Sequence, residues 1–329
     1  EYFDSTVPTP MWSTSLMLIG ECTVAQGIDF QFDCPQFFQQ TECDTPTGKL
    51  LLIPPPRYQR RENGVRVLWE CKKWLQGAKG AGAAARQSFN ELVTKNDKVP
   101  FKISSWDPSL YIHESSRGMI RFCLHGDDGC GGWSTSQQLI DELIALLNGR
   151  YGKYKPVKHG PWAKQLGFPV RRNREAGTTT VTAEPYITGL AKLVEGDQPW
   201  KPKVPFSKEL NELTPADLPE PDTPAAADMA ADIAWMREAC GSMIHIGKVR
   251  KDAVPGINMC SRYSHRPDKK AVRCVKHLIW YLLATPDVGL TFGYAPSTVW
   301  ADLKWQAAPE RDEIFDTMAR ILSYWVNCD

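Results

Sequence analysis

The sequence predicts an α+β fold, and three observations carry the prediction. Apolar or alternating segments suited to strands interleave with segments of helical period over residues 28–195. Seven prolines set among acids then erase all periodicity over residues 196–227. Beyond that break, residues 228–247 and 268–284 return to helical spacing. The expected organisation is a sheet domain over 1–195, a Pro-rich acidic linker over 196–227 and a helical region over 228–329.

Met11, Ser15, Leu16, Leu18, Ile19 and Cys22 recur at near-helical spacing until Gly27 stops them, and the apolar run Ile28 to Phe32 follows as a strand. Leu50 to Ile53 is a short strand closed by Pro54, Pro55 and Pro56, which can continue neither a ladder nor a helix. Val65 to Trp69 reads as another strand, and the Ala-rich run Ala81 to Val93, with Phe89 and Leu92, as a buried helix. Ser109 to His113 and Met119 to Leu124, joined through Ser115, Ser116, Arg117 and Gly118, make a hairpin. Gly126, Asp127, Asp128 and Gly129 follow at a strand end, where glycine lets the chain reverse tightly. Leu139, Ile140, Leu143, Ile144 and Leu147 then form one face of a helix over 136–148. Leu166 to Val170 and Thr178 to Val181 suggest a second hairpin, and Pro185 to Leu193 a short helix. In the last helix Val272, Val275, Leu278, Ile279 and Leu282 turn inward while Lys269, Lys270, Arg273 and Lys276 turn outward.

A formal net charge of +1 argues against wholesale binding of a polyelectrolyte, so any nucleic-acid contact must use segregated charge. Residues 1–50 hold seven acids against Lys49 alone, whereas residues 246–280 hold nine Lys or Arg against Asp252 and Asp268. The basic stretch suits phosphates, and it equally suits a solvated helix face. The ten cysteines include no CxxC pair and no zinc-type Cys/His spacing, which predicts reduced thiols. With no basic and apolar leader over Glu1 to Pro10 and no run of 18 apolar residues, the expectation is an intracellular chain, cytoplasmic or nuclear, without a membrane partner.

Adjacent carboxylates at a glycine-flanked turn repel one another and raise each other's pKa unless a cation neutralises them. Asp127 and Asp128 are such a pair, and hard oxygen ligands of this kind suit Mg2+. Solvated surface turns carry the same pattern. Asp33 interrupts an apolar strand, Ile28-Asp-Phe-Gln-Phe-Asp-Cys34, whose alternation puts Asp29, Gln31 and Asp33 on one face. If that strand lies beside the hairpin ending at Asp127, three carboxylates converge where two metals could clamp a phosphoryl transfer; otherwise Asp33 is part of a polar face.

These segments, in this order, resemble the polymerase region of Ty1/copia-type retrotransposon reverse transcriptases. Tyr2-Phe-Asp-Ser-Thr-Val-Pro8 is similar to the family's segment upstream of its first catalytic motif, and Gln31-Phe-Asp-Cys-Pro-Gln-Phe-Phe38 to its Gln-Leu-Asp-Val-Lys-Thr-Ala-Phe. Ile53-Pro-Pro-Pro56 resembles its Pro-Pro-Gly element, and Leu75-Gln-Gly-Ala-Lys-Gly-Ala-Gly82 its Leu-Tyr-Gly-Leu-Lys-Gln-Ala-Pro. Asp107-Pro-Ser-Leu-Tyr111 matches Asp-Pro-Ser-Leu-Phe, and Leu124-His-Gly-Asp-Asp128 stands where the family has Tyr-Val-Asp-Asp, with His125 and Gly126 as departures. Leu166-Gly-Phe-Pro-Val170, Glu184-Pro-Tyr-Ile187, Gly241-Ser-Met-Ile244, Ser261-Arg-Tyr263 and Ala271 to Leu283 continue the likeness to about residue 293.

The resemblance implies a reverse-transcriptase palm with an antiparallel sheet and packed helices, followed by thumb and connection elements. It implies that Asp33, Asp127 and Asp128 are the catalytic, Mg2+-binding carboxylates. Phe38 is implied as the bulky residue that excludes a ribose 2′-OH, although a core aromatic would read the same. Gln76, Gly77 and Lys79 are implied nucleotide contacts, although the same glycines would also start the following helix. Lys269, Lys270, Arg273 and Lys276 are expected to track a template-primer backbone, with RNA or DNA template-primer and dNTPs as partners. The family's fingers fall upstream of Glu1 and its RNase H acids beyond Asp329, so Asp316 carries no assigned role and other protein chains are expected to supply those parts. The competing expectation is a co-opted retroelement fragment that keeps the fold as a binding or structural subunit; a phosphate-binding module without turnover is a third.

Overall fold

The computed structural model describes residues 7–43, 49–126, 128–197 and 199–293, with residues 128–130 described in backbone only. Tyr2 to Thr6, Asp127, Asp316 and the segment 310–329 lie outside the described residues. The chain is α+β with antiparallel pairing and divides into two compact units, the first reaching Leu166 and the second spanning Gly167–Phe292. Among the described residues no helix is long and apolar enough to cross a membrane.

The first unit begins with α1 (Trp12–Val24), which is buried from Thr14 to Thr23, in keeping with a helix that is apolar on most of its circumference. Next comes β1 (Ile28–Asp33), with Phe30 and Phe32 buried and Asp29, Gln31 and Asp33 half-buried, as alternation requires. β2 (Leu51–Leu52), β3 (Arg61–Glu62), β4 (Val65–Arg66) and β5 (Trp69–Glu70) form two small ribbons, β2 with β5 and β3 with β4. The single strand expected over 65–69 is therefore broken, because 65–66 pair back across a tight turn to 61–62 while 69–70 pair to 51–52.

α2 (Ala81–Thr94), β6 (Lys102–Ile103), β7 (Leu110–Ser115), β8 (Gly118–His125), β9 (Asp128–Ser134), α3 (Gln137–Tyr151), β10 (Lys158–Gly160) and β11 (Lys164–Gln165) complete the unit. The main sheet runs β10-β1-β9-β8-β7-β6, and every pairing in it is antiparallel. Two crossovers explain the order. From β1 the chain passes through α2 to β6 at the far edge and returns through β7, β8 and β9 until β9 lies beside β1; β9 then passes through α3 to β10 on the other side of β1.

One face of the sheet packs on α2 and α3. Phe30, Phe32, Ile120, Phe122 and Tyr111 meet Phe89 and Val93 of α2 and Leu139, Leu143, Leu147 and Tyr151 of α3. Rings pack edge-on, with Phe32 and Phe122 centroids 5.4 Å apart at 74°. The other face carries α1. Buried Glu21 of α1 accepts from Arg121 Nη1 at 2.9 Å and from Trp133 Nε1 at 3.1 Å, polar groups of β8 and β9 that point away from the aromatic core.

In the second unit, β12 (Phe168–Asn173) pairs with β13 (Thr178–Thr182), which neighbours β14 (Gly289–Gly293). α4 (Glu184–Thr188), α5 (Pro224–Ile246), α6 (Val254–Arg262) and α7 (Lys269–Ala284) supply its helices. Thr223 caps α5 through Ala226 N at 3.3 Å and Asp268 caps α7 through Ala271 N at 2.6 Å. Arg250 is wholly buried; its guanidinium bonds to Asp252 at 2.7 and 3.0 Å and to Thr285 O at 2.8 Å. The described part of the Pro-rich segment belongs to this unit: its 3-10 turn Lys208–Glu212 offers Glu209 and Glu212 to α7, so the division falls at Leu166/Gly167 rather than within 196–227.

Candidate functional site

β1 stops and β9 starts at one end of the sheet. Phe32 of β1 lies opposite Cys130 of β9, and Lys158 of β10 lies opposite Asp33. On the far side of β9, Asp128 pairs with His125, so β8 and β9 are joined by the two residues Gly126 and Asp127. Gly126 takes φ +57, the left-handed geometry that so short a connection demands and that glycine adopts without strain. Asp33 thus closes its strand at the same sheet end as the Asp127–Asp128 turn. Asp127 itself lies outside the described residues, and of Asp128 only the backbone is described.

The three polar residues of β1 have different fates. Asp29 accepts from Trp162 N at 3.0 Å, and Gln31 accepts from Ala163 N at 3.1 Å, so both hold the loop before β11. Asp33 has no hydrogen bond or ion pair to any described residue, which leaves its carboxylate available. Burial pushes the neighbouring Cys34 thiol up to about 12, and the Asp33 charge adds to that shift, so Cys34 is a neutral thiol. One side-chain row further along, the Trp162 indole lies on Gly131 of β9; a Cβ there would sit 2.0 Å from the ring. Trp162 Nε1 donates to Gln165 at 3.1 Å, and Gln165 Nε2 donates to Ser15 of α1 at 2.7 Å, fixing the indole in place.

Phe38 sits in the turn after β1, half-buried against Phe37, whose ring centroid is 5.6 Å away, and against the aromatic core. Gln76, Gly77 and Lys79 are exposed in the turn that leads into α2. Backbone bonds Cys43 N to Lys72 O and Trp74 N to Thr41 O, both 3.1 Å, tie the strand leading to Gln76 to the one leaving Phe38. The fold therefore brings the Phe38 and Gln76 segments together close after Asp33 in the chain.

Lys269, Lys270, Arg273 and Lys276 lie on α7 in the second unit, each paired to an acid of that unit. Lys269 meets Asp232 at 2.6 Å, Lys270 meets Glu212 at 3.3 Å, Arg273 meets Glu209 at 3.0 Å and Lys276 meets Asp197 at 2.9 Å. The hydrogen bond to Asp232 raises the Lys269 pKa. Phosphates approaching this face would have to displace those acids.

Sequence reasoning missed two supports of the sheet end. Buried Arg86 of α2 donates to Leu124 O at 3.2 Å and to Pro108 O at 3.0 Å, gripping the last turn of β8. Buried Asp107 accepts from Ser109 N at 2.9 Å and Met11 N at 3.0 Å, and Leu124 N donates to Ser109 O at 3.0 Å where β8 bulges before the acidic turn. The Asp-Pro-Ser motif signalled Asp107, but nothing in the pattern marked Arg86.

Among the described residues no group of three His, Cys, Asp or Glu is close enough to hold a metal. No protein-family model, curated protein or solved structure matches the chain.

Proposed function

We propose that the first unit is the palm of a reverse transcriptase of the copia type and that Asp33, Asp127 and Asp128 hold two Mg2+ for nucleotidyl transfer. The observation that carries this reading is the sheet register: the strand ending at Asp33 pairs with the strand beginning at Asp128, 95 residues later in the chain. The β10-β1-β9-β8 order, with α2 and α3 on one face, is consistent with it.

The described donor fits a hard cation: a carboxylate at a strand end, Asp33, whose side chain no described group engages. Bound there, Mg2+ supplies charge neutralisation for the nucleotide phosphates and lowers the pKa of the primer 3′-OH. The chain's own residues do the rest. The backbone brings the end of the Asp33 strand and the start of the Asp128 strand to one end of the sheet; on this reading Asp33, Asp127 and Asp128 would hold the metal there, Phe38 would stand by the ribose, and Gln76, Gly77 and Lys79 would contact the incoming nucleotide. Template-primer and dNTPs are the partners.

Primer extension on poly(rA)/oligo(dT) with Mg2+ tests the reading. Extension by the chain, lost in an Asp127→Asn, Asp128→Asn double variant of equal stability, is the expected result. Template-primer binding that is unchanged by the double substitution, with no extension by either protein, would replace the polymerase with a co-opted binding subunit.

A further inference from the structure

Residues 49–73 carry a strong local charge that the whole-chain balance hides: seven Lys or Arg against Glu62 and Glu70, in a protein of net charge +1. This stretch contains the two ribbons β2–β5 and β3–β4, and nearly all of it is exposed. The acids do not neutralise it. Glu70 serves Lys49 and Lys72, and Glu62 meets Arg60 at 3.5 Å, while Arg57, Arg61 and Arg66 have no acidic partner among the described residues.

Two features set this apart from a solvated basic surface. Tyr58 and Trp69 are large aromatics, 47% and 44% exposed, that lie against each other with centroids 5.6 Å apart, and the Arg57 guanidinium lies 4.6 Å from the Tyr58 ring centroid. Half-exposed aromatic rings beside arginines are what stacking of nucleobases uses. Second, Arg61 and Arg66 are direct cross-strand partners. Asn63 (φ 51) and Gly64 (φ 80) form the two-residue turn, and Val67 N donates to Arg60 O, so the 61/66 pair is the non-hydrogen-bonded kind in which side chains approach most closely. Like charges so placed destabilise an already marginal two-stranded ribbon, and an anion between them removes that penalty.

We infer that this arginine-rich ribbon binds single-stranded nucleic acid, its phosphates along Arg57, Arg61 and Arg66 and its bases stacked on Tyr58 and Trp69. A duplex offers the same phosphates but keeps its base faces buried, so the exposed rings favour a single strand. The inference concerns a surface other than the carboxylate site and does not depend on the polymerase reading.

The test is fluorescence anisotropy of labelled oligo(dT) with the whole chain across a salt series, with duplex of equal length and poly-glutamate as competitors. Trp69→Ala is expected to weaken oligo(dT) binding about tenfold, and Trp69→Phe to retain most of it. Each Arg→Gln at 57, 61 or 66 is expected to lower the slope of log K on log salt by about 0.7. The Arg61→Gln, Arg66→Gln double variant removes a like-charge pair but also the Arg61 Nη1 bond to Gly64 O, so Arg66→Gln alone, which leaves that bond in place, is the variant whose loss of binding counts against a weakened hairpin. Unchanged affinity in these variants overturns the inference. So does competition by poly-glutamate equal to that of oligo(dT), which would indicate an acidic protein partner. Equal binding of duplex together with a neutral Trp69→Ala overturns the single-strand assignment. Asp127→Asn, Asp128→Asn should leave this binding intact, so failure here and failure of the polymerase reading are told apart.

Discussion

Gly131→Ala is a small substitution with a large expected effect. The added Cβ would lie 2.0 Å from Trp162 Cε2 and 2.3 Å from both Cζ2 and Nε1. Carbon atoms in ordinary contact stand about 3.5 Å apart, so the indole must retreat by about 1.5 Å. It has little room, because Trp162 is 4% exposed and tethered through Gln165 to Ser15. Overpacking of this kind costs about 1–3 kcal/mol, and losing the indole hydrogen bond adds about 1 kcal/mol. A total near 2–4 kcal/mol is expected. Two units make global unfolding a poor measure, so the assay is hydrogen exchange at the β8 and β9 amides under native conditions. Trp162→Leu completes a double-mutant cycle: with the indole gone, Gly131→Ala should cost less than in the parent, with a coupling of about 1–2 kcal/mol. A Gly131→Ala cost under about 0.5 kcal/mol, or strict additivity with Trp162→Leu, would refute the steric account.

Three further outcomes follow from side chains described above. Burial raises the Glu21 pKa despite the opposing pull of Arg121, so the folded state binds the proton more tightly; stability from this group is full below the ordinary carboxylate pKa and is lost as pH rises through the folded value. Urea midpoints of the parent and of Glu21→Gln should therefore diverge further, in favour of the parent, as pH is lowered from 7 toward 4. Burial pushes the Asp252 carboxyl up, but hydrogen bonds from Arg250 and Tyr281 outweigh it and its pKa ends lowered, so its contribution is present at neutral pH and lost as pH falls through that value. Asp252→Ala leaves the wholly buried Arg250 uncompensated and should cost about 3 kcal/mol in the second unit by hydrogen exchange. Asp33→Asn should change stability by less than about 0.5 kcal/mol without metal, since no described group engages the carboxylate. Mg2+ or Mn2+ should raise the melting temperature of the parent and not of that variant, and an equal rise in both would remove Asp33 from the metal site.

Much of the first unit was legible because its signals are local. The alternation in Ile28 to Asp33 marks β1, the glycines around Asp127–Asp128 mark the chain reversal after β8 though not the strand β9 that follows it, and the Leu/Ile spacing over 139–147 marks α3. β10 was not foreseen, since Lys158-His-Gly160 has no apolar pattern; it is an edge strand held by backbone pairing to β1. That Asp29 and Gln31 would bind the 162–164 loop while Asp33 would stay unengaged depends on contacts more than a hundred residues apart, which no local pattern encodes. Of the outward charges of α7, Lys269 and Arg273 are exposed and Lys270 and Lys276 half-buried, and their acids come from Asp197, Glu209, Glu212 and Asp232, scattered through segments whose pairing only the fold decides. The Arg57–Trp69 ribbon escaped notice because charge was compared between broad regions, Trp69 read as a strand residue and Tyr58 fell between the assigned segments.

The position of β1 has a consequence for the chain as a divisible object. Both of its sheet neighbours, β9 and β10, lie beyond the exposed ribbon in sequence, and the turn at Asn63–Gly64 is an open site for a protease. A nick there yields an amino-terminal piece whose central strand stays clamped between two strands of the other piece. Asp33 and the Asp127–Asp128 turn would then belong to different polypeptides, and fragment complementation would report directly on whether that sheet end has been assembled.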